Sequence, residues 1–233
     1  MVNINTVYQT VLLILNKEQR GYMTPSEFNK VAQQVQLEIF ESYFESLNQQ
    51  LRVPQNDSEY GDRVKMLRNK IQIFEKTEDL IAPFDLPNDF YRLGTIEFLP
   101  NNGNNPIIAE EVNRKMFSNI IRSKLTTPTK KNPIYYISND KIIFSPQGIP
   151  TNPEKMTMYY TRKPRVPKWE YSIGSVGQYI YQQGPSRNFE LSIQDQSELI
   201  LKILSYAGII IRDPQIIQTA AQMASGDDIN EKS

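Results

Sequence analysis

Thr24-Pro25-Ser26-Glu27-Phe28-Asn29-Lys30-Val31-Ala32 opens the stretch on which the fold turns. Thr24 offers a hydroxyl to free backbone N–H groups. Pro25 stands at the first helical position, where its missing N–H costs nothing, and Glu27 lies three residues after the cap, where its carboxylate can bond back. A helix starting here runs to about Leu51 on the stripe Phe28, Val31, Ala32, Val35, Ile39, Tyr43, Leu47 and Leu51, which makes it about 40 Å long at 1.5 Å per residue. Its second half carries another apolar set, Leu37, Phe40 and Phe44, turned away from the first. A helix apolar on two sides needs two partners. Helices from the C-terminal part of the same chain or a neighbouring copy of the protein would each serve.

Toward the N-terminus, Ile4, Val7, Tyr8, Val11, Leu12 and Leu15 fall on one helical stripe, and the helix stops near Asn16 ahead of a turn at Gly21. Leu13 and Ile14 lie off that stripe, which predicts cover on more than one side. In the other direction, a Pro/Asn/Asp loop from Val53 to Ser58 precedes Tyr60, Val64, Leu67, Ile71 and Phe74, the spacing of a third amphipathic helix. Arg63, Lys65, Arg68 and Lys70 between them read as its solvated face. These helices form an N-terminal part over residues 1–82.

From Pro83 the pattern changes to short β-type runs at Tyr91 to Phe98, Ile134 to Ile137, Lys141 to Phe144 and Met156 to Thr161. Ser138-Asn139-Asp140 reads as a hairpin turn. Asn101 to Pro106 reads as a loop, and Val112, Phe117, Ile120, Ile121 and Leu125 as one short helix. Thr161 to Trp169 holds two prolines three apart and predicts an extended arm that closes the β-rich middle, residues 83–170. Residues 171–224 read as an irregular segment followed by C-terminal helices that pack on the N-terminal ones. One starts at Asp195 with Glu198 three later and carries Leu199, Ile200, Ile203, Leu204 and Ala207; a second follows Asp213-Pro214 with Ile216, Ile217, Ala220 and Ala221. Residues 225–233 read as a disordered tail. The fold class is α+β.

Composition removes much chemistry. The 233 residues include no His and no Cys, which excludes Ser/His/Asp triads, thiol nucleophiles, His- or Cys-ligated zinc and disulfides. No glycine-rich phosphate loop is present. The carboxylate pairs that remain, Asp85 with Asp89 and Glu110 with Glu111, read as caps of local backbone and a helix start. The chain is expected not to be an enzyme and to need no metal or cofactor. Val11 to Leu15 is too short an apolar run to span a bilayer and lacks a preceding basic segment, so neither signal peptide nor membrane helix is expected.

Net charge is zero, from 26 basic and 26 acidic residues, yet residues 1–80 carry −2, residues 81–170 carry +5 and residues 171–233 carry −3. The basic middle points to the arm. Arg162, Lys163, Arg165 and Lys168 are interleaved with Tyr159, Tyr160, Trp169 and Tyr171. That mixture suits an assembly interface, since Arg, Tyr and Trp anchor interfaces; it also suits a grip on nucleic acid, or a charged loop with one buried Trp. Candidate inter-subunit or partner contacts are therefore Leu37, Phe40, Phe44, Arg162, Lys163, Arg165, Lys168 and Trp169.

Several stretches resemble structural proteins of crAss-like and related short-tailed bacteriophages. They are Asn5-Thr6-Val7-Tyr8, Leu15 to Tyr22, Thr24 to Asn29, Gln36 to Phe44, Leu86 to Leu93 and Tyr160 to Trp169. Within that group the similarity is to the head-to-tail connector, or ring (adaptor), protein beneath the portal. It covers the helical front well, the β-rich middle partly and the tail hardly at all, and carries no catalytic residue. The resemblance implies a virion protein made in the bacterial host cytoplasm and placed at the head–tail junction. It further implies a twelve-fold homo-oligomeric ring docked on the portal, with other ring or tail proteins attached and genomic DNA passing through without sequence-specific contact. The alternative function is a nucleic-acid-binding module using residues 159–171.

Overall fold

The computed structural model describes residues 1–17, 22–52, 58–100, 105–149 and 155–211. In chain order these form α1 (Ile4–Lys17), α2 (Pro25–Arg52), α3 (Ser58–Gln72), β1 (Glu75–Asp79), β2 (Phe90–Leu99), β3 (Ile107–Ile108), β4 (Glu110–Glu111), α4 (Arg114–Arg122), β5 (Ile134–Ser138), β6 (Lys141–Ser145), β7 (Lys155–Arg162), β8 (Tyr171–Ile173), β9 (Tyr179–Tyr181) and, after a 3-10 turn at Ile193–Asp195, α5 (Gln196–Ile211). The fold is α+β. It divides into a helical unit, Met1–Ile73 with the chain from Pro164 onward, and a β unit, Phe74–Lys163. The expected divisions at 82/83 and 170/171 thus fall at 73/74 and 163/164. The first moves because β1 leaves the helical region to join a sheet, the second because the Pro-rich stretch packs on the helices.

In the helical unit, α2 starts as its sequence dictates. Glu27 N–H donates to Thr24 Oγ1 at 3.3 Å, while Thr24 N–H and its hydroxyl donate to Glu27 Oε2 at 2.8 and 2.7 Å. Those bonds, the Thr24 hydroxyl first, hold the Glu27 carboxyl below the usual range. Ile4, Val7, Tyr8, Val11 and Leu15 of α1 are buried, as are Phe28, Val31, Ala32, Val35, Ile39, Phe40 and Tyr43 of α2 and Leu199, Ile203, Leu204 and Ala207 of α5. Each large side chain among them contributes about 1.5–3 kcal/mol by leaving water. Among the described residues the expected double cover of α1 is not seen: Leu13 is 59 % and Ile14 36 % exposed. Asp195, expected to cap α5, is buried instead, accepting from Tyr43 Oη at 2.6 Å and Lys70 Nζ at 2.7 Å. It ties α2 and α3 to the start of α5, and Ser192 caps the 3-10 turn.

The β unit holds an antiparallel sheet of order β1-β7-β2-β3 and a second sheet, β4-β5-β6, in which β4 runs parallel to β5. Ile96, Phe98, Met156, Met158 and Tyr160 from the first sheet share a core with Tyr135, Ile142 and Phe144 from the second. The alternation of a half-buried strand selects these residues: Met156, Met158 and Tyr160 turn inward while Tyr159 between them stays partly exposed. Gly94 sits where β2 shifts register, and a Cβ there would lie 2.9 Å from the Tyr159 carbonyl oxygen, so the close approach requires glycine. The β5–β6 hairpin turns at Asn139-Asp140, with Asn139 in the left-handed region at φ 53°.

Several local expectations change. Glu110-Glu111 form β4 rather than a helix start, because their backbone pairs with β5; Asn113 caps α4 instead, accepting from Met116 N–H at 2.8 Å. The carboxylates of Asp85 and Asp89 reach across strands, to Lys141 at 3.3 Å and to Tyr160 Oη at 3.0 Å. The irregular segment after residue 171 contains the β8–β9 hairpin. The turn at Gly21, most of the 53–58 and 101–106 loops, the helix placed at 216–221 and the tail lie outside the described residues.

Candidate functional site

Lys163–Pro167 forms neither helix nor strand, and its backbone is held from Pro164 onward by side chains of α2. Gln36, 1 % exposed, donates through Nε2 to the Arg165 carbonyl at 2.8 Å and accepts through Oε1 from Glu190 N–H at 2.9 Å. The buried Glu190 carboxylate accepts from Arg165 N–H at 2.8 Å. Two turns nearer the start of α2, Asn29 pairs both ways with the Trp169 backbone, accepting from its N–H at 2.7 Å and donating to its carbonyl at 3.0 Å. Trp169 Nε1 donates to Asn5 Oδ1 at 3.0 Å. An antiparallel bridge between Lys168 and Arg187, and another between Val2 and Phe189, complete the seam.

The Trp169 ring is 4 % exposed. It lies 4.6 Å from the Tyr8 ring and stacks at 5.8 Å on Tyr171 and 5.4 Å on Tyr181, which are cross-strand partners at the base of the β8–β9 hairpin. Tyr8 in turn packs on Phe28 at 4.6 Å and donates its hydroxyl to the Met23 carbonyl; burial, then the Tyr22 hydroxyl beside it, push its pKa up. This aromatic stack seats the base of the hairpin on α1 and α2. The outer part of the hairpin is apolar and uncovered: Ile173 is 69 %, Val176 88 % and Ile180 45 % exposed.

The other predicted contacts are distributed unevenly. Arg162 and Lys163 belong to the β unit and Arg165, Lys168 and Trp169 to the helical unit. Arg162 lies over the Phe74 ring at 5.9 Å and donates to the Lys163 carbonyl. Arg165 is 75 % exposed at the side chain, 3.9 Å from Glu190, and Lys168 pairs with Glu170. Phe40, expected at an interface, is fully buried within the helical unit and meets Phe44 edge-on at 5.2 Å, while Leu37 and Phe44 stay half-buried. Trp169 likewise serves its own chain. Its ring and that of Tyr160, 2 % exposed, are therefore internal; Tyr159 and Tyr171 remain partly open.

One charged cluster lies on the β1-β7-β2 sheet. Tyr160 Oη is 3.0 Å from both Glu78 Oε2 and Asp89 Oδ1, with Lys76 Nζ 3.4 and 3.5 Å from the same two carboxylates. Burial, joined by its acceptors, pushes the Tyr160 phenol up to about 12. The groups satisfy one another, which is a strand-tying arrangement. Among the described residues no group of three or more metal-ligating side chains converges, and no helix is long and apolar enough to cross a membrane.

Gln36 and Glu190, which hold the arm, were not among the sequence candidates, since a polar residue inside a helix stripe says nothing of partners more than a hundred residues away. The hairpin had a weak signal in the alternation Tyr171, Ile173 and Tyr179, Tyr181 around Gly174 and Gly177. No protein-family model matches the chain, and no curated protein matches it.

Proposed function

We propose that the chain is a structural virion protein that assembles as a head-to-tail connector ring between portal and tail of a short-tailed phage, with genomic DNA passing through it. The observation that carries this reading is the β8–β9 hairpin, a two-stranded sheet locked at its base by Trp169 and apolar at Ile173, Val176 and Ile180, which stay exposed among the described residues. A rigidly seated strand pair with open edges and exposed apolar residues suits contact with a neighbouring subunit. A ring repeats each such contact in every subunit, so modest pairwise interfaces add up. The exposed Leu13 and Ile14 of α1 supply a second uncovered apolar surface. The resemblance to phage ring proteins supports the same reading and supplies portal and tail proteins as partners and the head–tail junction as the place.

The test is velocity sedimentation of the purified chain, alone and mixed with portal particles. Co-sedimentation is expected for the native chain, and its loss for Ile173→Asp with Val176→Asp while Trp169 emission stays that of a buried ring. A native chain that remains monomeric and never joins portal particles refutes the proposal.

A further inference from the structure

The basic surplus of the middle third is concentrated outside the arm. From Val112 to Asn139 the chain has six of its 26 basic residues and none of its 26 acidic ones. All six, Arg114, Lys115, Arg122, Lys124, Lys130 and Lys131, are exposed. We infer that they form a phosphate-binding surface for duplex DNA, engaged without regard to base sequence.

Three observations carry this. The first is placement. On α4, at 100° per residue, Arg114, Lys115 and Arg122 fall within a single arc of about 100°, with Ser118 between them. The opposite side, Phe117 and Ile120, packs with Val112, Ile134 and Tyr136, Phe117 meeting the Tyr136 ring edge-on at 4.6 Å. Lys130 and Lys131 are the central residues of a tight turn closed by Asn132 N–H on the Thr129 carbonyl at 3.0 Å, three residues before the same Ile134. Helix and turn are thus both anchored at the start of β5.

The second is pairing. Lys70, Lys76, Lys141, Lys168 and Lys202 each hold a carboxylate of their own chain. Among the described residues, Arg114, Lys115, Arg122, Lys124 and Lys131 do not. The nearest acid in sequence, Glu111, is a hydrogen-bond partner of the Tyr135 phenol, whose pKa burial and that carboxylate push up. Uncompensated cations close together in the chain concentrate polyanions by releasing their counterions.

The third separates duplex DNA from other polyanions. From Val112 to Asn139 the aromatic rings are Phe117 and Tyr135, both buried, and Tyr136, half-buried with Phe117 packed on it. The surface therefore lacks the stacking platforms that single strands require. A membrane-lying helix would need the apolar side of α4 free, and that side is spent on β5; Met116 and Ile121, about half exposed, are its flanks.

The inference deepens the connector reading by naming the face such a ring turns to its DNA, and it is measured on the full chain without portal. The probe is a fluorescein-labelled mixed-sequence duplex, followed by anisotropy between about 50 and 200 mM salt. Five phosphate contacts give a slope of log affinity on log salt of about −4.5, a loss of roughly 500-fold over that range. Arg114→Gln, Lys115→Gln, Arg122→Gln, Lys124→Gln and Lys131→Gln together should flatten the slope by about 4.5, and Arg165→Gln with Lys168→Gln should leave it unchanged. If the five-fold variant loses its fold by circular dichroism, the pairs Arg114→Gln/Lys115→Gln and Lys124→Gln/Lys131→Gln should each flatten it by about two. An unchanged slope in these variants, a flattened one in the arm variant, tighter binding of the single strand, or binding to anionic vesicles in place of the duplex each overturns the surface. A chain that binds duplex through these residues yet never joins portal particles refutes the ring alone, whereas one that joins them with an unaltered slope refutes the DNA surface alone.

Discussion

Trp169 has an indole stacked on Tyr171 and Tyr181 and a backbone paired with Asn29, so Trp169→Ala opens a large cavity under the hairpin. The expected cost is about 3–5 kcal/mol, the range for a buried aromatic truncated to alanine, read as a lowered urea midpoint by far-ultraviolet circular dichroism. A Trp169 that merely lay on the surface for a ligand would cost little. Glu27 offers a test of different sign with pH. Its folded pKa is held below the ordinary value by the Thr24 hydroxyl and N–H, so its contribution is present above the usual carboxylate range and is lost as pH falls through the lowered value. Native chain and Glu27→Gln should therefore differ in urea midpoint at neutral pH and converge in acid. Thr24 and Glu27 were legible from spacing alone, because a capping box is local. Asp195 was not: its sequence context is that of a cap, and only the approach of Tyr43 and Lys70, each more than a hundred residues away, gives its carboxylate a buried role.

At the scale of elements, the seam between α2 and the Pro-rich stretch depends on Gln36. Gln36→Leu keeps the volume but leaves the Arg165 carbonyl and the buried Glu190 N–H without their partner, at about 1–3 kcal/mol for the buried N–H. The stretch should then open more often, and limited trypsin digestion should cut after Arg165 or Lys168 faster than in the native chain; equal cutting rates would show that the seam does not depend on this side chain. The helices were readable because an apolar stripe repeats with the helical period, and β2, β5, β6 and β7 because β-branched and aromatic residues alternate. β1 was not, because Glu75–Asp79 is exposed throughout and becomes a strand only by pairing with β7. Short, charged strands at a sheet edge deter further pairing and carry no hydrophobic signature.

For the whole molecule, the absence of His and Cys removes the two side chains whose ordinary pKa lies nearest neutrality. The urea midpoint, followed by emission of the single Trp, should stay level between about pH 6 and 8. Above that range the sign follows from Tyr160. Its folded pKa is raised to about 12, so its share of stability is complete below the ordinary tyrosine value near 10 and is lost as pH climbs through 12. Tyr160→Phe should lessen that alkaline decline, and a midpoint that slopes steeply across neutrality would contradict the picture.

Charge followed the same division between local and distant information. Counting placed a +5 surplus in residues 81–170, and the interleaved aromatics drew attention to the arm within it. Folding buries Trp169 and Tyr160 and gives Arg165 and Lys168 carboxylate neighbours, while Arg114, Lys115, Arg122, Lys124 and Lys131 are left facing solvent. Helix periods, the Thr24–Glu27 cap, the β-rich middle and the excluded chemistries were determined by the sequence itself, because each depends on composition or on residues within a few positions of one another. Which strands share a sheet, where the units divide and which aromatic rings are spent on the core were decided only by tertiary structure, since much of it depends on partners far apart in the chain, as in the bonds of Tyr160 to Asp89, Trp169 to Asn29 and Glu190 to Gln36.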